Sequence, residues 1–205
     1  MVELVKGYKF FSEKECEQLI VYCDNKEREL EKPTESAKSN QKKKRDCIVP
    51  VTQQNHSRYN FFYENSQYIN RLITCIKTVF PQLEFPVAVQ SWVNIYRKGQ
   101  GIKWHSHAGK NGSSFSANIF LGGPKKPGIY YSVDPDNTFN VENETGAMHL
   151  FPNNLNHMVP LNDSKKKRYT VGITIHGYDA IDRTLVHGGA LNASNRETII
   201  ITDIG

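Results

Sequence analysis

The sequence predicts a mainly β protein with flanking α-helices, a jelly roll supported by N-terminal helices. Two observations carry this prediction: helical periodicity before residue 86 and, after it, short runs of β-branched and aromatic residues separated by Gly, Pro, Asn and Asp. Such runs are typical of antiparallel sandwiches and barrels. From 205 residues, 38% of them hydrophobic, we expect one domain at 1–205, with a helical support at 1–85, a jelly-roll core at 86–176 and a C-terminal extension at 177–205.

Two helices are expected in the N-terminal support. Ser12 precedes an acidic first turn and is placed to cap a helix that runs to about residue 30. A second helix fits 65–80, where apolar residues recur along one face before Pro81 ends it. The polar stretch between them lacks apolar periodicity, so we expect a mobile loop near 33–47.

Nine strands are expected after the helices. The predicted ranges are 87–97, 101–107, 115–122, 128–132, 138–142, 146–151, 156–160, 168–176 and 197–203. Strands of this length, preceded by two helices, indicate a jelly roll with a helical layer on one face.

The charge and the cysteines restrict the classes of function that fit this sequence. The net charge is +5, and much of it comes from the runs 42–45 and 165–168. Such runs are usually solvated loops, so nucleic acid is not favoured as a partner. The four cysteines show no CxxC spacing, which indicates buried or free thiols.

There is no apolar leader, and no apolar stretch approaches the roughly 18 to 20 residues of a membrane span, so we expect no membrane partner and a cytoplasmic protein.

His105 and His107 lie two residues apart in a predicted strand. Side chains at i and i+2 of a strand point to the same face, with Cα atoms roughly 6.5 to 7 Å apart. Both imidazoles can therefore converge on one ion, and His157, from a different predicted strand, is the candidate third ligand. A lone pair of this kind also fits two solvent-facing or hydrogen-bonded histidines.

Arg168 begins a predicted strand whose alternate residues are apolar or aromatic. Arg168 and Thr170 share the opposite face, where a guanidinium and a hydroxyl suit a carboxylate. The competing interpretation is that Arg168 only ends the lysine run at the surface. On the earlier strand, Asn94 and Tyr96 likewise share a face with polar tips that suit a bound acid, although both also fit ordinary core positions.

The remaining histidines carry no predicted role. His149 is interpreted as structural, and His56, His176 and His187 have no partner at ligand spacing. We interpret these last three as surface residues or as core residues with satisfied hydrogen bonds.

An ordered set of motifs resembles the 2-oxoglutarate (2OG)/Fe(II) oxygenase superfamily, particularly its prolyl-4-hydroxylase-like branch. The set spans about 86–176 and comprises Asn94-x-Tyr96, Trp104-His105-Ser106-His107, Ser116-Ala117-Asn118-Ile119-Phe120-Leu121, Gly146-x-x-x-Leu150-Phe151-Pro152, His157 and Arg168-Tyr169-Thr170. The resemblance implies a double-stranded β-helix, a form of jelly roll.

The resemblance also implies a function and roles for the site residues. His105 and His157 would ligate Fe(II), Arg168 would bind the distal carboxylate of 2OG, and Tyr96 and Thr170 would assist it. The implied activity is a dioxygenase that uses O2 to hydroxylate a C–H bond of a peptidyl or small-molecule substrate and converts 2OG to succinate and CO2. Ascorbate is a further candidate cofactor.

His107 departs from the family pattern, in which the second ligand is Asp or Glu. Three neutral imidazoles leave a divalent ion its full +2 charge, so zinc or nickel also suits the site. Two alternatives therefore stay open: a three-histidine dioxygenase of cupin type that needs no 2OG, and a degenerate jelly-roll binding module. An AlkB-like nucleic-acid dealkylase is less favoured, because that branch has a second arginine where this chain has Thr174.

Overall fold

The computed structural model describes residues 5–31, 49–81, 83–107, 114–134, 136–177 and 198–201. Within these ranges the chain forms ten strands and four α-helices. The strands are β1 (Lys6–Lys9), β2 (Val87–Tyr96), β3 (Ile102–His105), β4 (Ser114–Gly122), β5 (Ile129–Asp134), β6 (Asn137–Val141), β7 (Ala147–Pro152), β8 (Asn156–Val159), β9 (Arg168–Gly177) and β10 (Thr198–Ile201). The helices are α1 (Glu13–Glu31), α2 (Val51–Gln54), α3 (Phe61–Glu64) and α4 (Ile69–Val79), with 3-10 turns at His56–Arg58 and Ser66–Tyr68.

The strands form two antiparallel sheets, as the predicted jelly roll requires. The six-stranded sheet has the order β1-β7-β4-β9-β2-β10, and the four-stranded sheet has the order β3-β8-β5-β6. The prediction of a mainly β jelly roll with flanking helices is confirmed.

Alternation along β9 separates the two faces of the six-stranded sheet. Val171, Ile173 and Ile175 are buried in the core that this sheet shares with the helices. Arg168 and Thr170 are also buried but have the opposite parity, so they point toward the four-stranded sheet. The residues predicted to bind a carboxylate therefore lie between the two sheets.

The two long helices form where the sequence places them. At the start of α1, the Ser12 hydroxyl accepts a hydrogen bond from the Glu15 amide (3.3 Å), and the Glu15 carboxylate accepts one from the Ser12 amide (2.8 Å). This reciprocal pair is a capping box, which satisfies two otherwise unpaired N–H groups. The second helix is shorter than predicted, because a 3-10 turn occupies 66–68 and α4 begins at Ile69.

Each end of the chain adds an edge strand to the six-stranded sheet. The N-terminal support is not purely helical, because β1 pairs with β7 at one edge of this sheet. β1 has only four residues, too few for a convincing alternation pattern. The strand predicted at 197–203 is present as β10, which pairs with β2 at the opposite edge, from Thr198 opposite Gln90 to Ile201 opposite Val87. The predicted loop near 33–47, the lysine run at 42–45 and His187 lie outside the described residues.

Three of the four cysteines, Cys16, Cys23 and Cys75, are buried free thiols, as predicted. Cys47 lies outside the described residues. None of the helices in the described part of the chain is long and apolar enough to cross a membrane.

Candidate metal centre

Three imidazoles meet between the two sheets. The ligand-capable nitrogens of His105, His107 and His157 all lie within 4.8 Å of one another. The ring centroids of His105 and His157 are 4.2 Å apart, and His107 lies 5.1 Å from the first and 5.3 Å from the second. The structure thus brings together the three histidines that the sequence singled out.

Strand register places these side chains. His105 on β3 is directly opposite His157 on β8, so the two rings project side by side from one sheet face. His107 follows β3, and its backbone N–H donates to the Asn153 carbonyl (2.9 Å) in the turn between β7 and β8. The Asn153 side chain also accepts a hydrogen bond from the Ser116 hydroxyl. Asn153 therefore fixes the backbone of His107 against the six-stranded sheet.

Backbone carbonyls select the tautomer of two rings. Nδ1 of His105 lies 2.8 Å from the Lys103 carbonyl, and Nδ1 of His157 lies 3.0 Å from the Leu155 carbonyl. Because a carbonyl only accepts hydrogen bonds, each Nδ1 carries the proton. Each Nε2 then has a lone pair that is available to a metal ion.

Burial favours the neutral form of His107 and His157. Burial, with the neighbouring His105 imidazole, lowers the pKa of His157 to about 3, and the same two causes lower the pKa of His107 to about 4. A neutral ring is the form that binds metal. Metal–nitrogen distances of about 2.0 to 2.2 Å place neighbouring ligand nitrogens about 3 Å apart, and the three rings already hold theirs within 4.8 Å. The donor set therefore fits a divalent ion.

A buried cation, Arg168, also lies between the sheets. Arg168 is 1% exposed, and the three nitrogens of its guanidinium have no hydrogen-bond partner among the described residues. Its guanidinium carbon lies 6.0 Å from the ring centroid of Tyr96, the residue directly opposite it on β2. Burial lowers the pKa of Arg168, while Tyr96 and Asp163 oppose that effect. The surface interpretation of Arg168 is thereby excluded, and an anion is the ligand that such a group lacks.

Thr170 is the centre of a polar network beside this cation. It lies opposite Asn94 in the β2–β9 pairing. Its hydroxyl oxygen accepts from the amides of Asn94 (3.4 Å) and Asn118 (3.3 Å), so its own hydrogen remains for another acceptor. The carbonyl oxygen of Asn94 and the hydroxyl of Tyr96 are buried without a partner among the described residues.

One residue of this region was missed by the sequence analysis. Tyr131 on β5 is fully buried, lies opposite His157 in the β5–β8 pairing, and has no partner for its hydroxyl among the described residues. It shares a buried cluster with Tyr96 and Phe151. The sequence places Tyr131 on an ordinary predicted strand, and only the long-range pairing brings it to the histidines.

A second, larger pocket adjoins the imidazoles. The cavity at the three histidines has a volume of about 30 Å³, which suits an ion and a water. Next to it, His107 and Trp92 line a pocket of about 390 Å³ whose wall includes His56 and His176. His56 is exposed, in agreement with its interpretation as a surface residue, and His176 is half-buried. The sequence did not reveal that both line this pocket. They are far apart in the sequence, and the fold brings them together.

The fold is similar to that of several solved structures. A Pseudomonas putida prolyl-4-hydroxylase is 15% identical, with a TM-score of 0.57 over 85% of this chain and 94% of that chain. A viral collagen prolyl hydroxylase from Paramecium Bursaria Chlorella virus-1, solved as a 2OG complex, is 12% identical, with a TM-score of 0.54 over 86% and 97%. The non-heme monooxygenase ThoJ, solved as a nickel complex, is 13% identical, with a TM-score of 0.58 over 85% and 74%.

No protein-family model matches the chain, and no curated protein sequence matches it. At these identities the similarity concerns the fold. The chain has the jelly-roll fold of prolyl-4-hydroxylase and of other 2OG/Fe(II) oxygenases.

Proposed function

We propose that this chain is a non-haem Fe(II)- and 2OG-dependent dioxygenase that hydroxylates a C–H bond of a peptidyl or small-molecule substrate. One observation carries the proposal: a cluster of three imidazoles lies between the same two sheets as a buried arginine whose guanidinium has no hydrogen-bond partner among the described residues. A metal ion and a dicarboxylate satisfy both features at once. The likeness in fold to proteins of this reaction class agrees with it.

His105, His107 and His157 are the proposed metal ligands. Bound Fe(II) would supply O2 activation coupled to oxidative decarboxylation of 2OG to succinate and CO2. The protein's part is to hold the ligands and to exclude water. An all-imidazole set leaves the full +2 charge of the ion in place, and this favours an anionic co-substrate more strongly than a site with a carboxylate ligand would.

Arg168, Thr170, Tyr96 and Asn94 are the proposed 2OG-binding residues. The guanidinium can fork onto both oxygens of the distal carboxylate, and the Thr170 hydroxyl has a hydrogen left to donate. Tyr131 joins this set as a further buried hydroxyl on the opposite sheet. Because the cavity of about 30 Å³ holds little more than an ion and a water, side chains of its wall must move when 2OG enters.

The test is O2 consumption and succinate formation by the Fe(II)-loaded chain with and without 2OG. We expect slow O2 uptake that requires 2OG, with one succinate formed per 2OG consumed. His157→Ala and Arg168→Met should both abolish it, whereas His149→Asn, at a buried histidine outside the cluster, should not. O2 uptake that is independent of 2OG and survives Arg168→Met would instead support a three-histidine dioxygenase of cupin type. No O2 uptake under any condition would support a binding module.

A further inference from the structure

The pocket beside His107 has a composition that restricts what it can bind. Its volume is about 390 Å³, which is in the range of a small ring with a polar substituent. The described residues that line it offer imidazole, carboxamide, indole and hydroxyl groups, and none of them is an acid, a lysine or an arginine. A charged ligand would lose its hydration there without gaining a countercharge from the described part of the wall.

Two polar atoms in this wall lack partners. The side-chain carbonyl oxygen of Gln53 and the indole N–H of Trp92 are both shielded from solvent, and neither has a hydrogen-bond partner among the described residues. Both residues line the larger pocket and also the small cavity at the histidines. The Gln53 oxygen is an acceptor and the Trp92 N–H is a donor, so the wall can accept one hydrogen bond from a ligand and donate another to it.

The indole of Trp92 is held in place by the sheet. Gly172 lies directly opposite Trp92 in the β2–β9 pairing, and a Cβ atom at Gly172 would lie 2.8 to 3.0 Å from three indole atoms. The missing side chain therefore makes room for the indole against β9. His56 lies beside Trp92, with ring centroids 5.6 Å apart, and adds a second planar surface.

We infer that this pocket binds the uncharged, amide-bearing part of the prime substrate, with Gln53 accepting from its N–H, Trp92 donating to its carbonyl, and a planar or apolar portion against the indole. This inference rests on the proposed function for its location beside the metal. It goes further in assigning the chemical class of the substrate and two residues that select it.

The test compares three probes of one shape and different charge: benzamide, benzoate and benzamidinium. The chain is labelled with 15N and kept free of metal with a chelator. It has two indole N–H signals, and the Trp104→Phe variant shows which of them belongs to Trp104. Trp104 is 42% exposed and serves as an internal control. We expect benzamide to shift the Trp92 signal saturably, leave Trp104 unchanged, and bind at least about tenfold more tightly than either charged probe.

Variants of Gln53 make the test specific. Gln53→Leu should weaken benzamide at least about threefold, whereas Gln67→Leu, at an exposed position outside the pocket, should not. Gln53→Glu keeps the shape and should reverse the preference toward benzamidinium. The inference is overturned if a charged probe binds the parent with the same affinity as benzamide, or if no probe moves the Trp92 signal. It is also overturned if both Gln53 variants bind the probes like the parent, or if benzyl alcohol binds with the affinity of benzamide. Because no metal or 2OG is present, these outcomes are independent of whether the chain consumes O2.

Discussion

Replacing Arg168 with methionine should stabilise the free protein and remove the further stabilisation that bound 2OG gives the parent. In the free protein the guanidinium is 1% exposed and lacks a hydrogen-bond partner among the described residues, so it is a desolvated charge with little compensation. Methionine fills a similar volume without that penalty. We expect the free energy of unfolding to rise by about 1 to 2 kcal/mol. For a chain of this length that is a rise of roughly 3 to 6 °C in Tm.

The dicarboxylate should stabilise only the parent. At a concentration 100 times its Kd, a ligand that binds the folded state alone adds about 2.7 kcal/mol, or roughly 5 to 10 °C in Tm. Thermal unfolding with Mn(II), with and without 2OG, measures both effects. Lys166→Met is the control, since it removes an exposed positive charge two residues away. A variant that is less stable than the parent by more than about 2 kcal/mol, yet keeps the full 2OG shift, would refute the assignment of Arg168 as an anion site.

Two further predictions concern an ion pair between α1 and α4 and the packing of Trp92 on β9. Arg71 lies 2.9 and 3.0 Å from the two carboxylate oxygens of Glu15, and this pair, with Ser12, lowers the pKa of Glu15 from 4.5 to about 2. A folded-state pKa below the unfolded value adds stability above about pH 4.5 that is lost toward pH 2. Because both side chains are partly exposed, Arg71→Met should lower the free energy of unfolding, measured in urea, by only about 1 kcal/mol at pH 7 and by less at pH 3. An equal loss at both pH values would contradict this expectation. Gly172→Ala should cost about 1 to 3 kcal/mol and shift tryptophan fluorescence, because the indole must move. Gly7→Ala, where no atom lies within 4 Å, should change neither.

Local patterns were enough to predict the elements that carry the site. The alternation after Arg168 placed Thr170 on the inner face, and the same logic placed Asn94 and Tyr96 on the strand that pairs with it. Ser12 predicted a cap because its partner is three residues away. In each case the physical cause acts within a few residues of the signal, so one sequence is sufficient.

The rest of the site depends on pairings that one sequence does not reveal. Tyr131 meets His157 only because β5 pairs with β8, and His56 reaches Trp92 only because a short turn packs against β2. Register between distant strands is set by the packing of the whole sheet, so no local pattern encodes it. For the same reason the strand predicted at 197–203 could not be assigned a partner, and β1 was not expected at all.

The proposed function requires that the three imidazoles and Arg168 form one site for a metal ion and 2OG. The most direct measurement is the absorption spectrum of the chain mixed with Fe(II) and 2OG without oxygen, repeated with His105→Ala and Arg168→Ala. We predict a visible charge-transfer band for the parent that both variants lose at the same concentrations. A parent without such a band, or two variants that match the parent, would contradict the proposed function.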